Sequence, residues 1–399
     1  MTKKICILLP WSINRDSRAQ RTAITLAKKF IVEIFCISAD DTEINPGLLR
    51  SYKIKRIKSK ERTVWDRFYL PFHSSSMLLF NELKQVIHEY DIIYCHDLPS
   101  LMAICKLKQR NDFKIVYDIH DIYLETINQG INKELMSTIS WVKSNITSYI
   151  FKFFINRIEG NCITNANLVF TVNESITTYI KEKYRIDCKT IQNFPINLDV
   201  PEIKKLRKKL DLSLSDKIVI YHGNLGGGRY LNEIVESSKY YDEHIYLVIM
   251  GNGQLQGVLE TKAGKNAFFL NSVPYESLFE YTSDANLGLV LLEHINYSKK
   301  HASANKLFEY MACGIATLAS DSPELIKVIE AEKNGIITKN FKPKDIALRI
   351  NEFFRNEKEA ILMGNQGRKA FENKYNWGLE EKKMLKLFEF NDKNNDCNS

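Results

Sequence analysis

The sequence predicts an α/β protein built from two doubly wound parallel sheets. Short apolar runs alternate with amphipathic stretches, and the alternation restarts near residue 218 after a charged segment. The runs are also near-continuous rather than alternating, the pattern of strands covered on both faces. A chain of 399 residues fits two or three domains at ~100–200 residues each.

In the first half, Ile5–Leu9, Val32–Ile37, Asp91–Cys95, Lys114–Asp118 and Leu168–Val172 read as strands. Ala19, Ala23, Leu26, Ala27 and Phe30 recur at helical spacing between the first two, with Asp16 or Ser17 placed to cap. Between the halves, Asn193-Phe194-Pro195-Ile196-Asn197 and the charged stretch Lys204–Lys209 read as a linker followed by a solvated helix. Strands then resume at Ile218–Tyr221, Ile245–Met250, Phe268–Leu270, Leu287–Leu292, Ile315–Ala319 and Ile336–Thr338. The expected organisation is a first domain over 1–195, a second over 196–374, a helix over 375–390 returning to the first, and a disordered tail over 391–399. In such sheets ligands bind outside the carboxyl ends of the strands, so the loops after strands are where chemistry is sought.

Composition narrows the function classes. No apolar run reaches the ~18 residues of a membrane span. A secretory leader is not expected, because Lys3 and Lys4 precede only Ile5–Leu9 before Pro10. The eight cysteines form no CxxC pair and no metal-spaced cluster, which reads as reduced thiols in a cytoplasmic protein. Residues 1–195 hold 28 Lys+Arg against 20 Asp+Glu, whereas the remainder balances at 28 of each. The whole +8 thus belongs to the first half and points to an anionic partner there. No nucleic-acid-binding motif accompanies it. Two basic and aromatic stretches, Tyr52–Phe72 and Trp141–Arg157, suit the headgroup region of an anionic bilayer. A core-facing helix with a solvated edge is the other reading of the second.

The most informative loop is Tyr221-His222-Gly223-Asn224-Leu225-Gly226-Gly227-Gly228-Arg229. Glycines let backbone amides approach a phosphate, and Arg229 adds a forked cation. A second glycine turn, Gly251-Asn252-Gly253, follows the next strand. Either turn alone is common structural punctuation; two side by side favour a nucleotide. The segment Ala302–Gly314 reads as a helix with Ser303 near its N-cap and Gly314 at its stop. Its Glu309 is placed to accept ribose hydroxyls while the amides of Asn305 and Lys306 hold a diphosphate. A solvated Glu on an amphipathic helix is the plainer alternative.

The string Asn305-Lys306-Leu307-Phe308-Glu309-Tyr310-Met311-Ala312-Cys313-Gly314 resembles that of family-four bacterial glycosyltransferases of the GT-B fold, which has two facing Rossmann-like doubly wound domains and a C-terminal crossover helix. Asp91–Pro99, Val116–Asp121, Asn167–Glu174 and Tyr375-Asn376-Trp377 resemble further segments of that family. The resemblance implies sugar transfer from a UDP- or GDP-linked donor, with retention and without metal or other cofactor. By position it implies that Glu309 binds the ribose, Arg229 the diphosphate, and Val273 and Tyr275 the base. Gly223 with Asn224 gives the phosphates close backbone access, and His120 meets the donor sugar as the catalytic candidate. His301 stands where many members have a glutamate that orients the sugar, and Ile13–Arg18 replaces their Gly-Gly pair.

A neutral His120 would hydrogen-bond a sugar hydroxyl, whereas a charged one would stabilise a departing phosphate. Arg15, Asp16, Arg18 and His96 are acceptor-binding candidates. The expected function is transfer to a lipid-linked or growing surface glycan (O-antigen, capsule or similar) at the inner face of the cell membrane. A sugar-nucleotide epimerase of the same fold and a non-catalytic two-lobe sugar-binding protein are the alternatives.

Overall fold

The computed structural model describes residues 2–38, 52–58, 71–108, 113–123, 152–197 and 205–393. The chain divides into two compact units, residues 1–192 with 381–399, and Asn193–Glu380.

The first unit carries seven parallel strands: β1 (Lys4–Leu9), β2 (Ile31–Ser38), β3 (Lys53–Lys58), β4 (Ile92–His96), β5 (Lys114–Ile119), β6 (Leu168–Thr171) and β7 (Lys189–Thr190). Their order is β3-β2-β1-β4-β5-β6-β7. Strand order reverses between β1 and β4, which opens a crevice at their carboxyl ends. The helix Ser17–Leu26 follows β1, its N-cap being Asp16, whose side chain accepts from the Ala19 amide. The helix Trp377–Lys393 spends its first turn, to Glu380, in the second unit and the rest in the first. There Phe388 lies against Phe30, Tyr94 and Phe170.

Two strands escape the apolar-run reading. β3, Lys-Ile-Lys-Arg-Ile-Lys, carries no apolar run because it is an edge strand, and lysines on an edge discourage pairing with other chains. Its Lys55 pairs with Glu82 at 2.9 Å and lies over the Phe35 ring. The front of the basic and aromatic stretch is therefore sheet. Residues 59–70, with Trp65, Phe68 and Tyr69, lie outside the described residues, as do Trp141 and Tyr149 of the second stretch. Of that stretch, residues 152–157 open a helix on which Phe153 and Phe154 are exposed and Ile155 is buried. β7 is only two residues long and carries no periodic signal.

The second unit has six parallel strands: β8 (Lys217–His222), β9 (Ile245–Met250), β10 (Ala267–Leu270), β11 (Leu287–Val290), β12 (Ala316–Ser320) and β13 (Gly335–Thr338). They are ordered β10-β9-β8-β11-β12-β13. Successive side chains go to opposite faces: Ile218, Ile220, Val248 and Met250 join one apolar cluster, and Val219, Tyr221, Leu247 and Ile249 the other. Double-sided burial explains the continuous apolar runs. The switch point lies between β8 and β11.

The expected solvated helix near Lys204–Lys209 is a correction. Leu206 and Arg207 of the helix Lys205–Leu210 are buried. Arg207 donates to the carbonyls of Ser213 and Asp216 and pairs with Asp284 at 3.1 Å. No helix among the described residues is long and apolar enough to cross a membrane. Of the cysteines, Cys6, Cys36, Cys95, Cys162 and Cys188 are buried free thiols.

Candidate active site

In the second unit the chain leaves β8 at His222 and turns at Gly223, whose φ of 121° suits a residue without a Cβ. A Cβ there would sit 3.0 Å from Lys306 Cε, so the lysine stem runs alongside the bare glycine. Lys306 Nζ lies 4.7 Å from the centre of the Tyr221 ring, and the Tyr221 hydroxyl donates to the Asn224 carbonyl at 2.8 Å. Burial and the neighbouring Arg229 pull the Lys306 ammonium down to about 7, with Glu309 opposing. Arg229 is half-buried and donates to the Gly227 carbonyl at 2.9 Å. The amides of Arg229 and Tyr230 both donate to Glu293 Oε1, at 3.0 and 3.1 Å. Glu293 follows β11, and it fixes where this loop enters its helix.

Glu309 is not the solvated carboxylate of the plainer reading. It is 8% exposed, with Oε2 3.7 Å from Nδ1 of the buried His222. Burial, then Lys306, pushes His222 down to about 3, so this imidazole is neutral beside the carboxylate. The helix runs Asn305–Ala312 with Ala304 at the N-cap, next to Ser303, and no side-chain cap. Gly314, at φ 69°, follows the C-cap Cys313 as expected of a helix stop. Asn305 accepts from Asn193 at 3.2 Å.

Gly251 and Gly253 are required by backbone packing. A Cβ on Gly251 would fall 1.9 Å from the Gly223 carbonyl oxygen, and one on Gly253 2.3 Å from that of Leu225. Backbone packing between the two turns, sealed by Gly223 N to Met250 O and Leu225 N to Asn252 O, demands glycine at both. They buttress the first turn. Val273 and Tyr275 follow β10, two strands from β8, and pack half-buried against the core. His301 stacks on Tyr297 at 4.0 Å, and its Nδ1 donates to the Tyr297 carbonyl at 2.9 Å.

In the first unit a polar cluster gathers at the carboxyl ends of β1, β4 and β5. Arg18 is 1% exposed; Nε and Nη2 meet Asp118 at 2.9 and 2.7 Å, and Nη1 donates to the Ile191 carbonyl. Its three donor nitrogens are engaged inside the unit, so the acceptor-binding expectation for Arg18 is corrected. Asp16 is likewise committed, to the Ala19 amide and to Trp11 Nε1 at 2.8 Å. Arg15 lies in the 3-10 turn Ile13–Arg15 just before it. His96 is fully buried and cannot touch an acceptor directly, a further correction. Its Nδ1 meets His120 Nε2 at 2.8 Å.

Asp118 also accepts from the Tyr94 hydroxyl at 2.9 Å. Against burial, Arg18 above all holds the Asp118 carboxyl well below the usual carboxylate range. The ligand atoms of Asp16, His96 and His120 lie within 4.8 Å of one another. The two imidazoles are bonded to each other, while Asp16 is bonded to Ala19 and Trp11 and lies 3.8 Å from His120.

Sequence reasoning missed Glu293, His222, Tyr221, Asp97 and Asp118 as parts of these sites. All stand at or just beyond strand ends, and that position was the available signal.

Two doubly wound parallel sheets, the second with a glycine turn and Arg229 after its first strand and Lys306 and Glu309 on the helix Asn305–Ala312, define the GT-B fold. Residues 202–370 match the model of glycosyl transferases group 1, and the two-sheet fold is that of GT-B structures. Sucrose-phosphate synthase from Thermosynechococcus elongatus is similar over 97% of this chain and 98% of its own, with TM-score 0.74 and 15% identity. HepE of Anabaena, solved with UDP-glucose, is similar over 97% and 99%, with TM-score 0.68 and 15% identity. WaaG, a glycosyltransferase involved in lipopolysaccharide biosynthesis, is similar over 95% and 97%, with TM-score 0.66 and 12% identity. Spore coat protein SA of Bacillus subtilis (strain 168) is 31% identical over 85 residues, 21% of this chain. That stretch spans 22% of the curated relative's own length.

Proposed function

We propose that the chain transfers a sugar from a UDP- or GDP-linked donor, with retention and without a metal ion, to a lipid-linked or growing surface glycan. The observation that carries the reading is the turn after β8: bare backbone at Gly223 with Lys306 alongside it and Arg229 six residues on. Backbone amides and two cations meet a diphosphate there, and Glu309 receives the ribose hydroxyls. As the bond to the diphosphate breaks, charge grows on its oxygens, and fixed cations lower the barrier by meeting that charge without reorganising. Two cations plus the amides neutralise the diphosphate, so activity survives excess EDTA. Abolition by chelator with rescue by manganese overturns that part.

The excess positive charge of residues 1–195 supports an acceptor carried on an anionic surface, and with it a bacterial protein working at the cytoplasmic face of the cell membrane in polysaccharide biosynthesis. HepE's UDP-glucose supports the donor class, and WaaG's pathway supports a surface-glycan acceptor. The test is incubation with a panel of nucleotide sugars, with and without membrane extract. Nucleoside diphosphate released only with extract supports transfer. A C2-epimer without release, or thermal stabilisation with no turnover, overturns it.

A further inference from the structure

Two histidines of the first unit, His96 and His120, meet at the carboxyl ends of β4 and β5. His120 Nε2 and His96 Nδ1 share a 2.8 Å hydrogen bond, so one nitrogen donates and the other accepts. The groups facing His120 come from four elements. Asp16 precedes the helix Ser17–Leu26 with Oδ2 at 3.8 Å; Asp97 opens the helix Asp97–Lys108 with Oδ2 at 3.6 Å; Asp118 on β5 has Oδ2 at 3.7 Å. The fourth is His96 at the end of β4. Tyr94 and Arg18 lie behind, both bonded to Asp118. Arg18 offsets one of the three carboxylates.

Asp97 is also held in the left-handed region, at φ 57°, where its Oδ1 accepts the His120 amide at 2.9 Å. A non-glycine residue adopts that conformation when its surroundings impose it. The turn therefore aims both a charge and a hydrogen bond at His120.

We infer that His120 works as an imidazolium, donating through Nε2 to a permanently neutral His96, with His96 and Asp97 as its positioning residues. Burial pushes Asp97 itself up to about 7, so its charge acts on His120 above that pH, where His120 titrates. Burial lowers His120, but Asp97 first, then Asp16 and Asp118, raise it to about 9, whereas burial takes His96 down to about 4. An imidazolium cannot serve as the base. In transfer the acceptor oxygen bonds to the anomeric carbon, the bond from that carbon to the diphosphate breaks, and the hydroxyl proton leaves with the diphosphate. His120 supplies positive charge and an N–H. This rests on the proposed sugar transfer for its use, but the charge state is measurable without it.

The test is a histidine NMR titration of the full chain, with H120Q identifying the resonance, alongside pH profiles of kcat/KM. In the wild type, His120 titrates near 9 and activity falls above that pH. In D97N, His120 moves at least one unit toward its ordinary 6.5, and the alkaline limb moves with it. Asn tolerates the left-handed turn and keeps its carbonyl oxygen, so D97N removes charge rather than fold. H96A lowers kcat, and H96Q, which retains an acceptor, restores part of it. A His120 that is neutral at pH 7.5, or a D97N limb that does not move, overturns the proposal. A normal titration without sugar transfer overturns the functional reading instead.

Discussion

Lys306 makes donor binding depend on pH in a direction the structure dictates. Its ammonium is pulled down to about 7 in the free protein, so it is charged below that pH and neutral above it. A bound diphosphate favours the charged form and returns the group to its ordinary range near 10. Binding above pH 7 therefore includes uptake of one proton. Half of the molecules carry the charge at pH 7 and about one in a hundred at pH 9, so affinity falls about 50-fold across that interval, roughly 2.3 kcal/mol.

The neighbours do not confuse the reading: His222 stays neutral, pushed to about 3, and Tyr221 is raised to about 12. A nucleotide sugar, fully ionised as a diester, keeps the ligand's phosphates silent. Calorimetric titration from pH 6 to 9, in two buffers of different protonation enthalpy, reads both slope and proton count. K306R binds with a flat profile because guanidinium holds its charge throughout. A flat wild-type profile, or an unchanged slope in K306R, refutes the reasoning.

Arg18→Met leaves Asp118 buried without its cation and destabilises the first unit by about 3–5 kcal/mol in urea unfolding; a loss below about 1 kcal/mol refutes the buried-pair account. Gly251→Ala drives a Cβ into the Gly223 carbonyl and lowers both melting temperature and donor affinity, whereas Gly227→Ala meets open space and changes stability by no more than about 0.5 kcal/mol. Equal effects of the two reject the buttress role. Glu309→Gln, nearly isosteric, weakens nucleotide-sugar binding at least tenfold in calorimetry while unfolding stays cooperative; unchanged affinity removes Glu309 from the ribose.

Both sheets and eleven of their thirteen strands were legible because double-sided burial writes itself into the sequence as continuous apolar runs. The glycine turn and the helix around Glu309 were legible because they stand at strand ends, where ligands bind in such sheets. What escaped was set by partners distant in sequence. Arg18 and Asp118 are 100 positions apart, so an arginine near a cleft loop reads as a ligand contact until its carboxylate is seen. Gly251 and Gly253 look like phosphate turns, yet the neighbouring loop is what excludes their side chains. His222 stands at a strand end, but only the fold sets it beside Glu309.

The helix Trp377–Lys393 also constrains when the first unit can be completed during synthesis. Phe388 is 6% exposed and packs on aromatic rings from β4, β6 and the turn before β2, so that unit's apolar core is complete only once this helix has been made. The 188 residues Asn193–Glu380 intervene. At about 5–20 residues per second, that is roughly 10–40 s during which an emerging first unit exposes the patch Phe388 will cover. The patch is a natural site for a chaperone, and shortening the helix ahead of Phe388 would make that transient exposure permanent.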